Sequence, residues 1–578
     1  MRQHILTTAL AAAVTALAYG QNLNPTVEVT NAYEGGASSI AKPAQKMAVP
    51  DSVTRFNLDF DYSVFEKPYQ GAYEFKPYYV QLKPTPKPLT EEKFYLRTGA
   101  GFTLHPELDL AWTPIQKEKY RLGVYATHHS YFGRYHQFGR GEDLDGVHTI
   151  VTTGEKKGGY LADTKLGVDG AYGWDDGVAT LDIGFRHRMA DNAYHYQKMG
   201  GVEVNGRVRS LPTDEPHFLY DAAFRYHYLG GDLSHTYTTE REVAESGFSF
   251  DGTFGPVLDA DNRVLVDLDL DLARYMKDLT GYTGILSATP KYQFNADRWR
   301  LSLGMKFSYR VFSEDFNLWE EAYRRKGLTV FPDVYVDYHL VDDRLVLQTS
   351  ATGGNRFNSF SGRFFSRPFT YEGSFGHSLE RIRAMIGARG NIASRFRYDL
   401  QVGYARWAHA PVDGFREDVY LPPVGETPDA FWTLPAQYDK AFNLFFAELD
   451  YGWNSETIAV DGRLAWRRTN ISGDGAFAPA AITGFIRPAY NWGGRLKAGL
   501  DVSWSTGRKA TITNESGDVM ANFSIPGWVD LGLFAEYRFT HRFGFWAKGG
   551  NLLNQAVQRT PLVAEAGMYF TAGIVLNF

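Results

Sequence analysis

The chain contains no cysteine, which excludes disulfides, thiolate-bound metal and a lipid anchor on an amino-terminal cysteine. An excess of charge of either sign is lacking as well, with 60 Lys and Arg against 66 Asp and Glu. The formal net charge is −6 over 578 residues, so nothing points to a nucleic-acid partner. After the first twenty residues no apolar run reaches the roughly 18 residues that a membrane-spanning helix needs. Catalytic fingerprints are missing too. There is no G-x-S-x-G, no H-E-x-x-H, no phosphate-cradling loop and no dinucleotide-binding glycine pattern. No nucleophile or base is marked, and the chain is read as a non-enzyme without a cofactor. What it has in quantity is glycine, 58 residues, and aromatic side chains, 15%. A mean hydropathy of −0.33 is low for a helical membrane protein. It is ordinary for a barrel in which only alternate residues meet lipid.

Residues 1–20 read as a secretory signal peptide. Arg2 supplies the positive charge, Ile5 to Leu17 the short apolar core, and Ala18-Tyr19-Gly20 a cleavage site before Gln21. Residues 21–92 form a distinct leader with eight prolines, ending in the stiff K-P-T-P-K-P run of Lys83 to Pro88. Disordered segments are poor in aromatics, yet this one holds Tyr33, Phe65, Tyr69, Tyr73, Phe75, Tyr78 and Tyr79. Phe56, Leu58, Phe60, Tyr62 and Val64 alternate with Asn57, Asp59, Asp61 and Ser63, a strand pattern. The leader is therefore expected to dock, inside a barrel or on a partner, through Phe56, Phe60 and Tyr62.

From Lys93 to Phe578 amphipathic strands of about ten residues recur. In the clearest, Val264, Val266, Leu268, Leu270 and Leu272 share one face, and Asp267, Asp269 and Asp271 the other. The same alternation sets Lys497 and Asp501 opposite Leu496, Leu500 and Trp504. It also sets Glu536 and Arg538 opposite Leu531, Ala535 and Tyr537. These seven charged residues are the candidates for a water-facing lumen. The last strand alternates Met568, Phe570, Ala572, Ile574 and Leu576 before the terminal Phe578. It resembles the closing strand of outer-membrane barrels, in which Phe570, Ile574, Leu576 and Phe578 would be the assembly signal.

Tight polar turns fall near Gln116–Lys119, Trp174–Gly177, Pro212–Glu215, Asp259–Asn262 and Asn295–Asp297. Five more fall near Asp342–Asp343, Asn391–Ser394, Asn454–Glu456, Asn491–Gly494 and Thr540–Arg542. Longer loops lie between them, among them Tyr131 to Gly158, Gly354 to Ser378, Ala408 to Ala441 and Gly507 to Ile525. Short turns on one side and long loops on the other mark a transmembrane antiparallel β-barrel with periplasmic turns and extracellular loops. Ten turns join twenty strands, and one more at each end makes about 22. Trp112, Tyr120, Trp299, Trp453, Trp528 and Trp546 sit near strand ends and suit an interfacial girdle. His128, His129, His136, Glu142, Asp143, Asp145 and His148 crowd the first loop without regular ligand spacing. They read as a solvated polar loop, not a metal site.

The penultimate strand runs into Gly549-Gly550-Asn551-Leu552-Leu553-Asn554-Gln555. With the barrel size and the terminal Phe578, this resembles the barrel of TonB-dependent receptors over residues 93–578. Those receptors carry a folded plug ahead of the barrel, and here only the leader stands in that place. The nearest stretch to an energy-coupling box is Thr26-Val27-Glu28-Val29-Thr30, so TonB as a partner stays open. Tyr33-Glu34, Ala41-Lys42, Pro50-Asp51 and Phe60-Asp61-Tyr62-Ser63-Val64 resemble the leader of plug-less receptor-like barrels of the Bacteroidota. The environment implied is the outer membrane, with its lipids, its lipopolysaccharide and outer-membrane or periplasmic protein partners.

Twenty-two strands about 4.8 Å apart and tilted about 40° enclose a barrel roughly 40–45 Å across, with a lumen of roughly 20,000 Å³. The leader, packed at protein density, fills roughly 9,000 Å³ of it. An occluded barrel is therefore expected, with long loops such as Ala408–Ala441 folding inward. Two functions follow. The missing plug favours a non-transporting scaffold subunit of an outer-membrane assembly or secretion complex. The resemblance itself implies a receptor-like transporter for nutrient uptake whose leader replaces the plug. Amino-terminal sequencing of protein from cells is expected to begin at Gln21, in a fraction banding with the outer membrane on a sucrose gradient. Recovery with the inner membrane would overturn the barrel.

Overall fold

The computed structural model describes residues 93–578 apart from 143–146, 192–194, 212–216, 236–237, 314–326, 342–343, 367–376, 394, 416–434, 472–475 and 514–518. The signal segment and the leader, with Phe56, Phe60 and Tyr62, lie outside the described residues. The described chain opens with β1 (Phe94–Phe102) and β2 (Glu107–Gln116), then two long strands, β3 (Tyr120–Glu142) and β4 (Val147–Trp174). There follow β5 (Gly177–Asp191), β6 (His195–Ser210), β7 (His217–His235) and β8 (Thr238–Val257). The meander continues through β9 (Asn262–Lys277), β10 (Gly281–Asn295), β11 (Trp299–Phe312), β12 (Gly327–Val341) and β13 (Leu345–Arg356). A short helix, α1 (Phe360–Ser366), precedes β14 (Ser378–Ile392) and β15 (Phe396–Phe415). Next come β16 (Pro435–Asn454), β17 (Ile458–Thr469), β18 (Ile482–Trp492) and β19 (Leu496–Ser505). A hairpin of β20 (Arg508–Thr513) and β21 (Val519–Ile525) stands off the wall, because β19 pairs directly with β22 (Trp528–Arg538). Finally β23 (Phe543–Gly550) pairs with β24 (Tyr569–Asn577), and β24 pairs with β1.

Taking the hairpin of β20 and β21 from the 24-stranded sheet leaves 22 antiparallel strands in a closed wall. Closure leaves no wall edge, the condition under which strands cross a bilayer with every backbone polar group paired. Each of the ten tight turns read from the sequence joins two adjacent wall strands. The long connections depart from expectation. Residues 131–158 are not a loose loop: β3 and β4 stay paired out to Glu142 opposite His148, a ribbon standing beyond β2 and β5. Ala408–Ala441 likewise continues β15 and β16 as a ladder to Phe415 opposite Pro435. Its described part is a paired ribbon.

Alternation sorts the side chains. Val264, Val266 and Leu268 on β9 are exposed, as are Leu286, Leu303, Met305, Val330, Leu347, Val402, Leu464 and Leu533 on other strands. This outer apolar band is the surface a bilayer covers. Trp112, Tyr120, Trp299 and Trp453 are exposed with it and fit the girdle. Trp528 and Trp546 do not. Trp546 is 4% exposed with the Arg97 guanidinium 3.8 Å from its ring, and Trp528 lies under Arg559 at 5.0 Å. Both belong to the inner wall. His128 and His129, as sequence neighbours on one strand, point to opposite faces. His128 bonds Thr164 at 2.8 Å, whereas His129 meets Asp109 at 2.8 Å.

The seam between β1 and β24 depends on glycine. Gly99 and Gly573 face each other across it, and Trp546 is level with Gly573 on β23. A Cβ on Gly573 would lie 1.9 Å from the Thr98 carbonyl oxygen, and one on Gly99 2.6 Å from the Trp546 ring. The bare backbones let the indole lie over the seam, where its N–H donates to the Ile574 carbonyl at 3.2 Å. Below it, the Lys93 and Phe94 N–H groups donate to the Phe578 carbonyl at 2.5 and 2.8 Å.

Adjacent residues on β9 test the two faces at nearly constant depth. Leu268→Arg is expected to cost about 2–4 kcal/mol, the range for arginine on a lipid face near the bilayer midplane. Asp269→Arg, placed across from Asp251, is expected to cost far less. Urea unfolding read by heat-modifiability on gels separates them. Equal costs would reverse the assignment of faces.

Candidate functional site

Among the described residues, the interior of the barrel is furnished by connections that leave the wall at its loop-side end, two of them anchored by many polar contacts. The first runs from β13 to β14 and carries α1. Its sequence, F-S-G-R-F-F-S, puts Phe360 and Phe364 one turn apart on a common face. Ser359 caps the helix by accepting the Gly362 N–H at 3.0 Å. Seven residues do not hold a helix in water unaided, so tertiary contacts must. Phe360 and Phe364 pack into a buried cluster with Met199, Leu229, Val243, Ala273, Tyr275 and Leu279, drawn from β6 to β9 and the connection after it.

Polar contacts fix the helix in register. Glu245 on β8 is fully buried and accepts from Ser361 twice, the N–H at 2.9 Å and the hydroxyl at 2.6 Å. His227 of β7 meets the same carboxylate at 2.7 Å. On β5, Arg188 bridges the Phe365 carbonyl to Asp163, and the Arg186 guanidinium lies 3.8 Å from the Phe365 ring. At the root of the connection, buried His377 meets the Thr283 hydroxyl at 2.7 Å, and Asn358 donates to Ser378 at 2.9 Å. Burial, with Arg310 nearby, pushes His377 down to about 3, so the ring is neutral at physiological pH. A connection rooted at β13 and β14 is thus pinned to β5 through β9.

The second connection joins β23 to β24 and begins in the G-G-N-L-L-N-Q stretch. Asn551 takes a positive φ of 43°, and its side-chain amide donates to the carbonyls of Gln555 and Ala566 at 2.8 and 2.9 Å. Its own oxygen accepts the Gln555 N–H at 3.0 Å. One asparagine therefore holds both ends of an inner loop. Farther along, Arg559 donates to Asp530 and Ser503, each at 3.0 Å, and pairs with Glu565. Leu562 and Ala564 pack with Phe138, Phe477, Ala510 and Ile525. The hairpin of β20 and β21 joins this layer, with β21 in parallel pairing to β4, Phe523 opposite His148.

The charged residues picked out by alternation take separate places. Asp267 pairs with Lys291 and accepts from Thr253 at 2.7 Å; Asp269 lies 3.5 Å from Lys306; Asp271 accepts from Ser249 at 2.6 Å. On the far side of the wall Asp501 accepts from Arg487 at 3.0 Å and Glu536 from Arg538 at 2.9 Å. Lys497 stands 5.9 Å from the centre of the Phe534 ring. The structure does not gather the seven into one site. Phe570, Ile574 and Leu576 lie on β24 opposite Phe102, Thr98 and Leu96. Sequence reading missed α1 and its partners Glu245, His227 and Arg188. The one local signal was the pair Phe360 and Phe364 behind a capping Ser359 within a loop.

No protein-family model matches the sequence, and no curated protein matches it. Solved structures do. The FrpB iron transporter of Neisseria meningitidis, in its apoprotein form, aligns at TM-score 0.62 and 8% identity, over 84% of this chain and 81% of that one. The ferric enterobactin receptor PfeA of Pseudomonas aeruginosa aligns at 0.58 and 10%, over 84% and 80%. The copper transporter OprC aligns at 0.60 and 14%, over 84% and 81%. The likeness is one of fold, that of an outer-membrane barrel of receptor size.

Glu245→Ala removes the acceptor shared by Ser361 and His227. A buried donor left unmatched costs about 1–3 kcal/mol, and the loss falls on α1 because the barrel ladder does not use that carboxylate. Amide exchange across 360–366 is expected to speed up by roughly tenfold or more, since about 1.4 kcal/mol corresponds to a factor of ten. Heat-modifiability of the barrel should stay as in wild type. Unchanged exchange would show that the apolar cluster alone holds the helix.

Proposed function

We propose that the chain is a non-enzymatic outer-membrane transporter of the receptor type, taking up a compact polar nutrient through the barrel interior. The observation that carries this is the closed 22-strand wall and its likeness in fold to an iron transporter, a ferric enterobactin receptor and a copper transporter. Cargo of that kind, a metal ion or its chelate, fits an inner wall whose charges are mixed in sign. In this reading the leader, residues 21–92, takes the place of a plug and leaves the barrel occluded at rest. Thr26 to Thr30 would engage TonB, and the relatives intended are the plug-less receptor-like barrels of the Bacteroidota.

The scaffold function favoured on sequence grounds rests on readings of the segment before Lys93, which lies outside the described residues. Nothing in the fold or in the likeness to solved structures supports it, and the transporter reading replaces it.

A strain lacking the gene is expected to grow poorly when iron or copper is limiting, and to recover with the intact chain only if TonB is present. Deleting Asn22 to Pro88 should leave a heat-modifiable barrel with large single-channel conductance in planar bilayers. Normal growth of the null strain, together with stoichiometric barrel or lipoprotein partners in gently solubilised membranes, would restore the scaffold.

A further inference from the structure

The seam between β24 and β1 is covered by a large side chain on one face only. Inside, Trp546 lies over Gly99 and Gly573. Outside, the same crossing carries alanine. Ala498 on β19 stands opposite Ala535 on β22, and Ala535 opposite Ala547 on β23. Ala547 in turn stands opposite Ala572 on β24, and Ala572 opposite Ala100 on β1. Alternation puts these residues on the lipid side with exposed Leu533, Tyr537, Phe545 and Phe570. Another part of the wall is filled at the corresponding place. Across β9 to β12 one outward row reads Leu268, Ala288, Phe307 and Val330.

A groove of about 510 Å³ opens in the outer face where the side chains are small. Leu496, Tyr537, Phe545 and Ile574 line its turn-side flank, and the alanines of β22, β23 and β24 its floor. It reaches inward as far as Trp546 and Gly573, the pair that meets at the seam from inside. An apolar cavity of about 150 Å³ is already enough to take up benzene. No residue lining the groove carries a charge.

Its place in the wall decides what covers it. The groove is continuous with the outer apolar band, the surface that a bilayer covers. Rows of paired residues cross tilted strands, so the groove slopes. Ala498 lies two residues above the turn-side end of β19, whereas Ala100 lies two below the loop-side end of β1. The lower mouth, at Leu496 and Tyr537, is rimmed by exposed Trp492 and Phe539. Phe539 packs edge-on against Tyr537 at 4.7 Å and Phe545 at 5.3 Å. Such rings settle at the level of lipid headgroups. From β19 to β24 is three strand spacings, about 14 Å. An acyl chain of one leaflet covers about 15 Å, half of a hydrocarbon core of roughly 30 Å.

We propose that this groove binds one acyl chain of a phospholipid from the turn-side leaflet. The chain enters past Leu496 and Tyr537 and lies across β22 to β24, the outer counterpart of Trp546. The headgroup then sits level with Trp492 and Phe539. A bound chain braces the closing strands from the one side that carries no large side chain of the protein's own. The site requires only a closed wall in a bilayer and is independent of what the barrel transports.

Native mass spectrometry of the full chain, purified with extensive detergent washing, should find one phospholipid per barrel. Ala547→Phe and Ala572→Phe fill the groove from its floor and should each lower that occupancy several-fold. Ala288→Phe, on the outer face of β10, should leave it unchanged. Heat-modifiability of each variant separates a lost lipid from a lost fold. After delipidation, dioleoyl phosphatidylethanolamine should raise the temperature of the gel shift in wild type and in Ala288→Phe. Ala547→Phe should show no such rise. Occupancy that is absent in wild type, unchanged by the groove substitutions, or lost equally in Ala288→Phe would overturn the site. So would retained lipopolysaccharide, which gives the groove to the other leaflet, or a dimer that Ala547→Phe dissociates, which gives it to a second copy. A wild-type barrel that binds the lipid without a shift in temperature would overturn the bracing. Neither cargo nor TonB enters these measurements, so their outcome stands apart from that of the uptake experiment.

Discussion

Everything in this molecule depends on one ladder of hydrogen bonds, the pairing of β24 with β1 from Tyr95 opposite Asn577 to Phe102 opposite Phe570. Without it two strand edges would face hydrocarbon, where unmatched N–H and C=O groups cost several kcal/mol each. The seam is built for close approach. Gly99 and Gly573 remove two side chains where the strands meet, and Trp546 returns the lost packing by lying across both. Arg97 then stacks on the indole and reaches Asp109 at 3.2 Å, while Lys548 pairs with buried Glu107. Closure is secured from inside the barrel, which leaves the outer face of the same strands to apolar side chains.

A wall closed in this way frees its loop-side connections to serve the interior. The connection bearing α1 and the one following β23 reach different stretches of wall by different chemistry. The first relies on phenylalanines seated in an apolar cluster and on one buried carboxylate, the second on an asparagine clamp and an arginine between two acids. Both are anchored on inner-face residues, so their position is set by the same alternation that sends leucine and valine outward. The exterior of the barrel and the furnishing of its interior are two readings of one period of two.

Much of the wall was legible in the sequence. Turns such as Asp259–Asn262 and Asn491–Gly494 announce themselves by residue type, and β9 by its strict alternation of Asp with Leu and Val. What stayed hidden depends on distant partners. β3 and β4 run on past their outer neighbours as a ribbon whose buried residues, Tyr131, Tyr135 and Phe138, meet inner-layer partners distant in sequence, so residues 131–158 do not show the simple apolar alternation that marks a strand. Trp528 and Trp546 look like girdle residues until strand parity places them beneath Arg559 and Arg97. Helix α1 has too few residues to display a period, and Glu245, its principal acceptor, lies far away in sequence. The site was less readable than the fold because its residues meet only across the barrel.

The bonds from Lys93 and Phe94 to the Phe578 carbonyl place the chain's entry into the wall at the very point where the wall closes. A pull on the segment before Lys93, directed away from the barrel on the turn side, runs along the axis of β1. It loads the β1–β2 and β1–β24 ladders in shear, with the registered pairs sharing the force at once, instead of peeling them one by one. The joint that makes the barrel continuous is therefore also a shear-loaded attachment for whatever precedes Lys93.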